Sequence, residues 1–109
     1  MKLVMIESPY WSKNKEQLKQ NIEYAKKCLL DSLNRGEAPF ASHLLYTRVL
    51  KNDAITKHRY MGLSAAFAWA KKADLVAVYI DLGFTAGINK GIQNAQKNKI
   101  PIEYRRLNK

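Results

Sequence analysis

The sequence predicts a three-layer α/β domain, with a small parallel sheet of about four strands between helices. Three observations carry that prediction. Short apolar runs alternate along the chain with longer stretches whose apolar residues recur at helical spacing. The short runs are nearly continuous in apolar character, as strands covered on both faces are. Strands separated by helices pair in parallel through crossover connections.

The first run, "KLVMIE" (Lys2–Glu7), ends in "SPYW". Asn14 is a candidate helix N-cap, with Gln17 three residues on as the partner of a capping box. Leu18, Ile22, Ala25, Leu29 and Leu33 then recur at helical spacing, and Gly36 supplies the stop. "EAPFA" (Glu37–Ala41) is a short second strand, and its Pro39 suits a sheet edge. "SHLLYTRVLKNDAITKHR" reads as a longer, partly helical connection, and an alanine-rich helix follows from about Arg59 to Lys72. "DLVAVYI" (Asp74–Ile80) is the third strand and the most apolar. A helix from Thr85 to about Lys97 and a last strand, "IPIEYR" (Ile100–Arg105), complete the order.

A chain of 109 residues makes one domain with one modest core. Hydrophobic content of 47% and charged content of 26% argue for a folded chain. No apolar run approaches a membrane span, and the N-terminus lacks a signal-peptide pattern, so no membrane partner is expected. The single cysteine, Cys28, sits beside Ala25 and Leu29 in a helical pattern and reads as a partly buried structural thiol, which suits the cytoplasm. The net charge of +10 favours anionic partners, phosphorylated small molecules among them. Lys and Arg are scattered and no nucleic-acid motif is present, so a dedicated nucleic-acid reader is not expected. The spacing matches neither a dinucleotide GxGxxG nor a P-loop, and no His, Cys or Asp cluster has metal spacing. Neither a cofactor nor a metal is expected.

Ligands of open parallel sheets bind beyond the carboxyl ends of the strands. That rule gathers "ESPYWS", "SHLLY" and "DLGFTAG". Ser8, in the Ser8–Pro9–Tyr10 turn, either bonds a phosphate or caps the turn. Tyr10 and Trp11 either stack on a base or plug the end of the sheet. His43 either meets a sugar hydroxyl or phosphate or serves the fold. Arg48 and Arg59 either pair with a phosphate or belong to the solvated surface. Thr85 can cap the following helix and leave its first N–H groups facing an anion. Gly83 suits a left-handed turn. Gly87 and Gly91 either let a ligand approach the helix or permit close packing. Asp81, which ends the third strand beside these glycines, either supplies a functional carboxylate, with Glu7 and Asp53 behind it, or caps the loop by holding backbone N–H groups.

"IESPYW", "GEAPFASHLLY" and "LVAVYIDLGFTAGINKGIQNA", with the segments between them, resemble the small nucleoside 2-deoxyribosyltransferase-like proteins of bacteria and phages. The resemblance spans nearly the whole chain. It implies a flavodoxin- or Rossmann-like sheet, a nucleoside or nucleotide ligand, exchange or hydrolysis of N-glycosidic bonds, and active sites at subunit contacts, hence a homodimer or larger homo-oligomer. Catalytic members carry a glutamate in a pattern like G-[TM]-x-x-E-[IM]; here Gly87 and Ile88 match its start and Gly91 stands at the glutamate position. Glycine supplies neither nucleophile nor charge. The sequence therefore points to a protein that binds a nucleotide or ADP-ribose-type molecule without cleaving it. A compact phage protein that senses or sequesters such a ligand would fit. The alternative is a glycosidase or deoxyribosyltransferase with its carboxylate relocated to Asp81.

Overall fold

The structure, a computed structural model, describes residues 1–50 and 56–108. In chain order it comprises β1 (Leu3–Glu7), α1 (Lys15–Asn34), β2 (Ala38–Phe40), α2 (Ser42–Leu45), a single 3₁₀ turn (Tyr46–Arg48), α3 (Thr56–Ala70), β3 (Leu75–Tyr79), α4 (Ala86–Lys97) and β4 (Ile102–Arg105). All three strand pairings are parallel, and the sheet order is β2-β1-β3-β4. The predicted α/β architecture is observed, with each strand within two residues of its expected ends. Pro39 lies in an edge strand, where its missing N–H costs no ladder bond.

The continuous apolar runs serve two cores. Val4 and Ile6 of β1 and Leu75, Ala77 and Tyr79 of β3 pack with Tyr24 and Cys28 of α1. Met5, Val76 and Val78 point the other way, onto Ala70 of α3 and Ile88 and Ala95 of α4. Every residue of β3 is buried, so each of its side chains lies against one helical layer or the other. Burial of each larger aliphatic side chain contributes about 1.5–3 kcal/mol.

Helix α1 begins as expected: the Asn14 side chain accepts from the N–H groups of Glu16 at 2.9 Å and Gln17 at 3.1 Å. The reciprocal half of the capping box is absent, because the Gln17 amide donates to Asn21 Oδ1 instead. The predicted apolar stripe is also rotated. Ala25 is buried, but Leu33 is 53% exposed, whereas Asn21, Tyr24, Cys28 and Ser32 face inward. Hydrogen-bond partners on the sheet side explain the rotation. Asn21 donates to the Tyr10 carbonyl at 2.9 Å, Tyr24 to Asp81 Oδ1 at 2.6 Å and Ser32 to Glu37 Oε1 at 2.7 Å. Cys28 is fully buried rather than partly, and desolvation pushes its thiol up to about 12. Gly36, at φ +80°, closes the helix. Its N–H donates to the Leu33 carbonyl and that of Glu37 to Ser32, a Schellman arrangement.

Below α1 lies an ionic cluster. Arg105, ending β4, is buried and donates from Nη1 and Nη2 to the two oxygens of Glu37 at 2.8 and 2.7 Å. Its Nε donates to Glu103 at 2.7 Å, and Nη1 also reaches the Tyr79 hydroxyl, which itself donates to Asp31 at 2.7 Å.

The sheet order sets the site. From β1 the chain moves to β2 on one side, and from β3 to β4 on the other. The connections leaving β1 and β3 therefore diverge, and a crevice opens beyond their carboxyl ends.

Candidate functional site

A cavity of about 330 Å³ occupies that crevice. Ser8, Tyr10 and Trp11 form one wall, and Ser42, His43, Tyr46 and Thr47 a second. The face of α3 carrying Arg59, Gly62, Ala66 and Phe67 forms a third, and the start of α4, from Thr85 to Ile88, a fourth. Glu7, the last residue of β1, also reaches the cavity.

The hydroxyl of buried Ser8 lies 2.8 Å from His43 Nε2, and the Tyr10 ring meets the imidazole edge-on at 6.0 Å. Desolvation pushes His43 down to about 4, so its ring is uncharged at neutral pH. Glu7 is the less ordinary group. Its side chain leaves β1 on the face of Met5, toward α4, and its carboxyl lies directly against Gly91. A Cβ at residue 91 would collide with both carboxyl oxygens and Cδ. Desolvation by burial pushes the carboxyl up to about 8. Glu7 is therefore an uncharged acid near neutrality.

Helix α4 starts at Thr85, whose hydroxyl accepts from the Ile88 N–H at 3.2 Å. The alternatives for the two glycines separate. A Cβ at Gly87 would meet only Thr85 Oγ1, at 3.9 Å, so Gly87 keeps the cavity wall open and is not required by packing. Gly91 is close-packed, against Glu7, and lies behind the cavity wall.

The structure brings together Ser8, Tyr10, His43, Arg59, Thr85 and Gly87. It does not bring the other candidates to the cavity. Pro9 is buried behind its wall. Arg48 lies on a separate groove with Ile22, Pro39 and Leu44, its Nε donating to the Leu44 carbonyl at 3.3 Å. Gly83 makes the left-handed turn after β3, at φ +83°, without reaching the cavity. Asp53 lies outside the described residues.

Asp81, preferred on sequence grounds as the relocated carboxylate, is also away from the cavity. It accepts from the Tyr24 hydroxyl at 2.6 Å and from the N–H groups of Leu107 and Asn108, pinning the last residues to α1 and β3. Burial opposes its charge, but these donors outweigh that effect and hold its carboxyl below the usual carboxylate range. A strand-terminal Asp beside glycines has the sequence pattern of a catalytic group, and here it is a backbone clasp.

Sequence reasoning assigned no role to His58, Gly62, Ala66 and Phe67, and gathered Tyr46 only as part of "SHLLY". Gly62 and Ala66, four apart on α3, were a signal: small residues beside Leu63 and Phe67 leave room on one face. Among the described residues, buried His58 Nδ1 has no partner. No group of three or more His, Cys, Asp or Glu among them is placed to hold a metal, and no helix among them is long and apolar enough to cross a membrane.

Parallel order, three layers and a crevice at the strand divergence define a flavodoxin- or Rossmann-like α/β fold. Among solved structures, the 2-deoxyribosyltransferase of the psychrotolerant bacterium Bacillus psychrosaccharolyticus superposes with a TM-score of 0.64. The two are 19% identical over 95% of this chain and 72% of that one, a likeness that shows the fold. Residues 2–105 match the family described as Domain of unknown function (DUF7768), and the chain belongs to it. No curated protein sequence matches.

Proposed function

We propose that this chain binds a nucleoside, a nucleoside phosphate or an ADP-ribose-type molecule in the cavity and leaves its glycosidic bond intact. The observation that carries this reading is the pairing, in one cavity, of an aromatic wall with the open first turn of α4. Tyr10, Trp11, Tyr46 and Phe67 offer faces for a base, where stacking contributes about 1–3 kcal/mol. The first N–H groups of α4 and Arg59 at the wall suit a phosphate. The volume is that of a small-ligand site, for which the usual range starts at about 300 Å³. The solved enzyme of like fold, described as a biocatalyst for nucleoside synthesis, supports the ligand class.

Binding without cleavage follows from the carboxyls. Gly91 stands where catalytic members of the resembled family carry glutamate, Asp81 is engaged by its three donors, and Glu7 is uncharged. An oxocarbenium-like transition state needs a negative group beside the anomeric carbon. Sensing or sequestration in the cytoplasm fits such a protein, including one encoded by a phage. Exposed Tyr60, Met61 and Trp69 on α3 support assembly into a homodimer or larger homo-oligomer, and a monomer mass by light scattering at micromolar concentration would contradict it.

The test is to denature the purified protein and identify any released ligand by mass spectrometry, then to measure binding of nucleosides and their 5′-phosphates by calorimetry. Chromatography of the same mixtures should show no free base. The presence of Glu7 in the cavity favours one alternative, N-glycosidic hydrolysis or transfer with Glu7 in the role first given to Asp81. Turnover that disappears in Glu7→Gln and persists in Asp81→Asn would establish it.

A further inference from the structure

Among the described residues, no side chain pairs with the Glu7 carboxyl. Other partly buried acidic side chains are matched: Glu37 by Arg105, Asp31 by Tyr79 and Arg35, Asp81 by Tyr24 and two N–H groups. At Glu7 the neighbouring space is held open by a glycine inside a helix, a position where alanine would be the better helix former. Glu7 is half-buried at the cavity edge, and no described side chain bonds its carboxyl, so a molecule that enters the cavity can become its partner.

We infer that Glu7 is the side chain through which this cavity recognises its ligand, donating a hydrogen bond to an acceptor atom of an uncharged or anionic molecule, and that Gly91 is a glycine because the Glu7 carboxyl fills the place of its side chain. The inference rests on the nucleotide reading above and adds the group that selects the ligand and the protonation state in which it does so.

The geometry supports each part. The carboxyl lies between the end of β1 and Gly91 of α4, at the edge of the cavity that Glu7 lines. The groups sharing the cavity are Tyr10 beside β1, His43 and Tyr46 on the second wall, and His58 and Arg59 on α3; α4 presents no titratable side chain there. His43 is uncharged and bonded to Ser8, and no described cation forms an ion pair with Glu7. With its carboxyl pushed up to about 8, Glu7 keeps its proton through neutral pH. An uncharged acid offers one donor and one acceptor, which complements a ring nitrogen or carbonyl beside an N–H. A carboxylate would instead favour a cation or a pair of donors.

The experiment is calorimetry with the four common ribonucleoside 5′-monophosphates at pH 7 and pH 9, using wild type, Glu7→Gln, Glu7→Ala and Gly91→Ala. Glutamine keeps one donor and one acceptor without titrating. The expected result is that the monophosphate bound most tightly by wild type loses about tenfold in affinity between pH 7 and pH 9. Glu7→Gln should bind within a few-fold of wild type and show no such pH loss. Glu7→Ala should lose tenfold or more at pH 7. Gly91→Ala, which displaces the carboxyl, should lose affinity while remaining folded by circular dichroism. Affinity unchanged in Glu7→Ala, or rising toward pH 9 in wild type, would overturn the inference and leave the nucleotide reading standing. Failure of wild type to bind any of the four would overturn this role for Glu7 and remove the ribonucleoside monophosphates from the nucleotide reading.

Discussion

Two glutamates in this molecule have opposite surroundings. Glu37, on the α1 side of the sheet, accepts both arms of the Arg105 guanidinium and the Ser32 hydroxyl, and these donors hold its carboxyl below the usual range. Glu7, on the α3–α4 side, faces a glycine and a cavity, and burial alone pushes its carboxyl up to about 8. Both are products of one fold with one sheet. The difference teaches that polar satisfaction here sorts by purpose: where the charge is matched within the chain the residue builds structure, and where it is not the residue is available to something else.

The largest effect should come from breaking the matched side. Arg105→Ala removes the cation from under Glu37 and Asp31 and leaves their charges partly buried, which should cost about 3–5 kcal/mol in chemical denaturation. A loss below about 1 kcal/mol would mean the cluster is wetter than its geometry indicates.

Stability against pH should expose the unmatched side. Folded Glu7 keeps its proton up to about 8, against an ordinary value of 4.5, so the folded state binds the extra proton between those values and loses stability as pH rises through them. His43 acts in the opposite sense: lowered from 6.5 to about 4, it is neutral in the fold and protonates more readily when unfolded, so its contribution is lost as pH falls below 6.5. Between pH 6.5 and 8 Glu7 dominates the pair, and wild-type stability should fall by up to about 1.4 kcal/mol per pH unit. Denaturation midpoints of Glu7→Gln should be flat across that window.

Smaller effects sharpen the two glycines. Gly87→Val projects a side chain into the open cavity, so nucleotide affinity should fall by about tenfold with little change in melting temperature. Gly91→Ala gains helix propensity of about 1 kcal/mol but meets the Glu7 carboxyl. In wild type the two should offset or the clash should win; in a Glu7→Ala background the substitution should stabilise. Thermal denaturation of the four chains gives the coupling directly.

The sequence made most of this architecture legible and little of the site's chemistry. Strand order of appearance, the edge position of Pro39, the caps at Asn14 and Thr85 and the left-handed Gly36 all follow from local rules. The burial face of α1 did not, because Asn21 and Ser32 are held inward by polar bonds, to the Tyr10 carbonyl and to Glu37, that apolar periodicity does not register. The same limit left open which carboxyl meets the cavity. Asp81 and Glu7 both end buried strands, and only tertiary contact separates them: the chain end returns to satisfy Asp81, and a glycine from α4 packs beneath Glu7. Gly91 was legible as an exception to helix preference, but its reason lay across the sheet–helix layer.

The central claim, that Glu7 stands unmatched and uncharged at the cavity, is tested most directly by following its side-chain carboxyl carbon by NMR through a pH titration of the ligand-free protein, with Glu7→Gln identifying the resonance. The account predicts a midpoint near 8, well apart from the other carboxyls. A midpoint in the ordinary range near 4.5 would show a hydrated or paired carboxylate and contradict it.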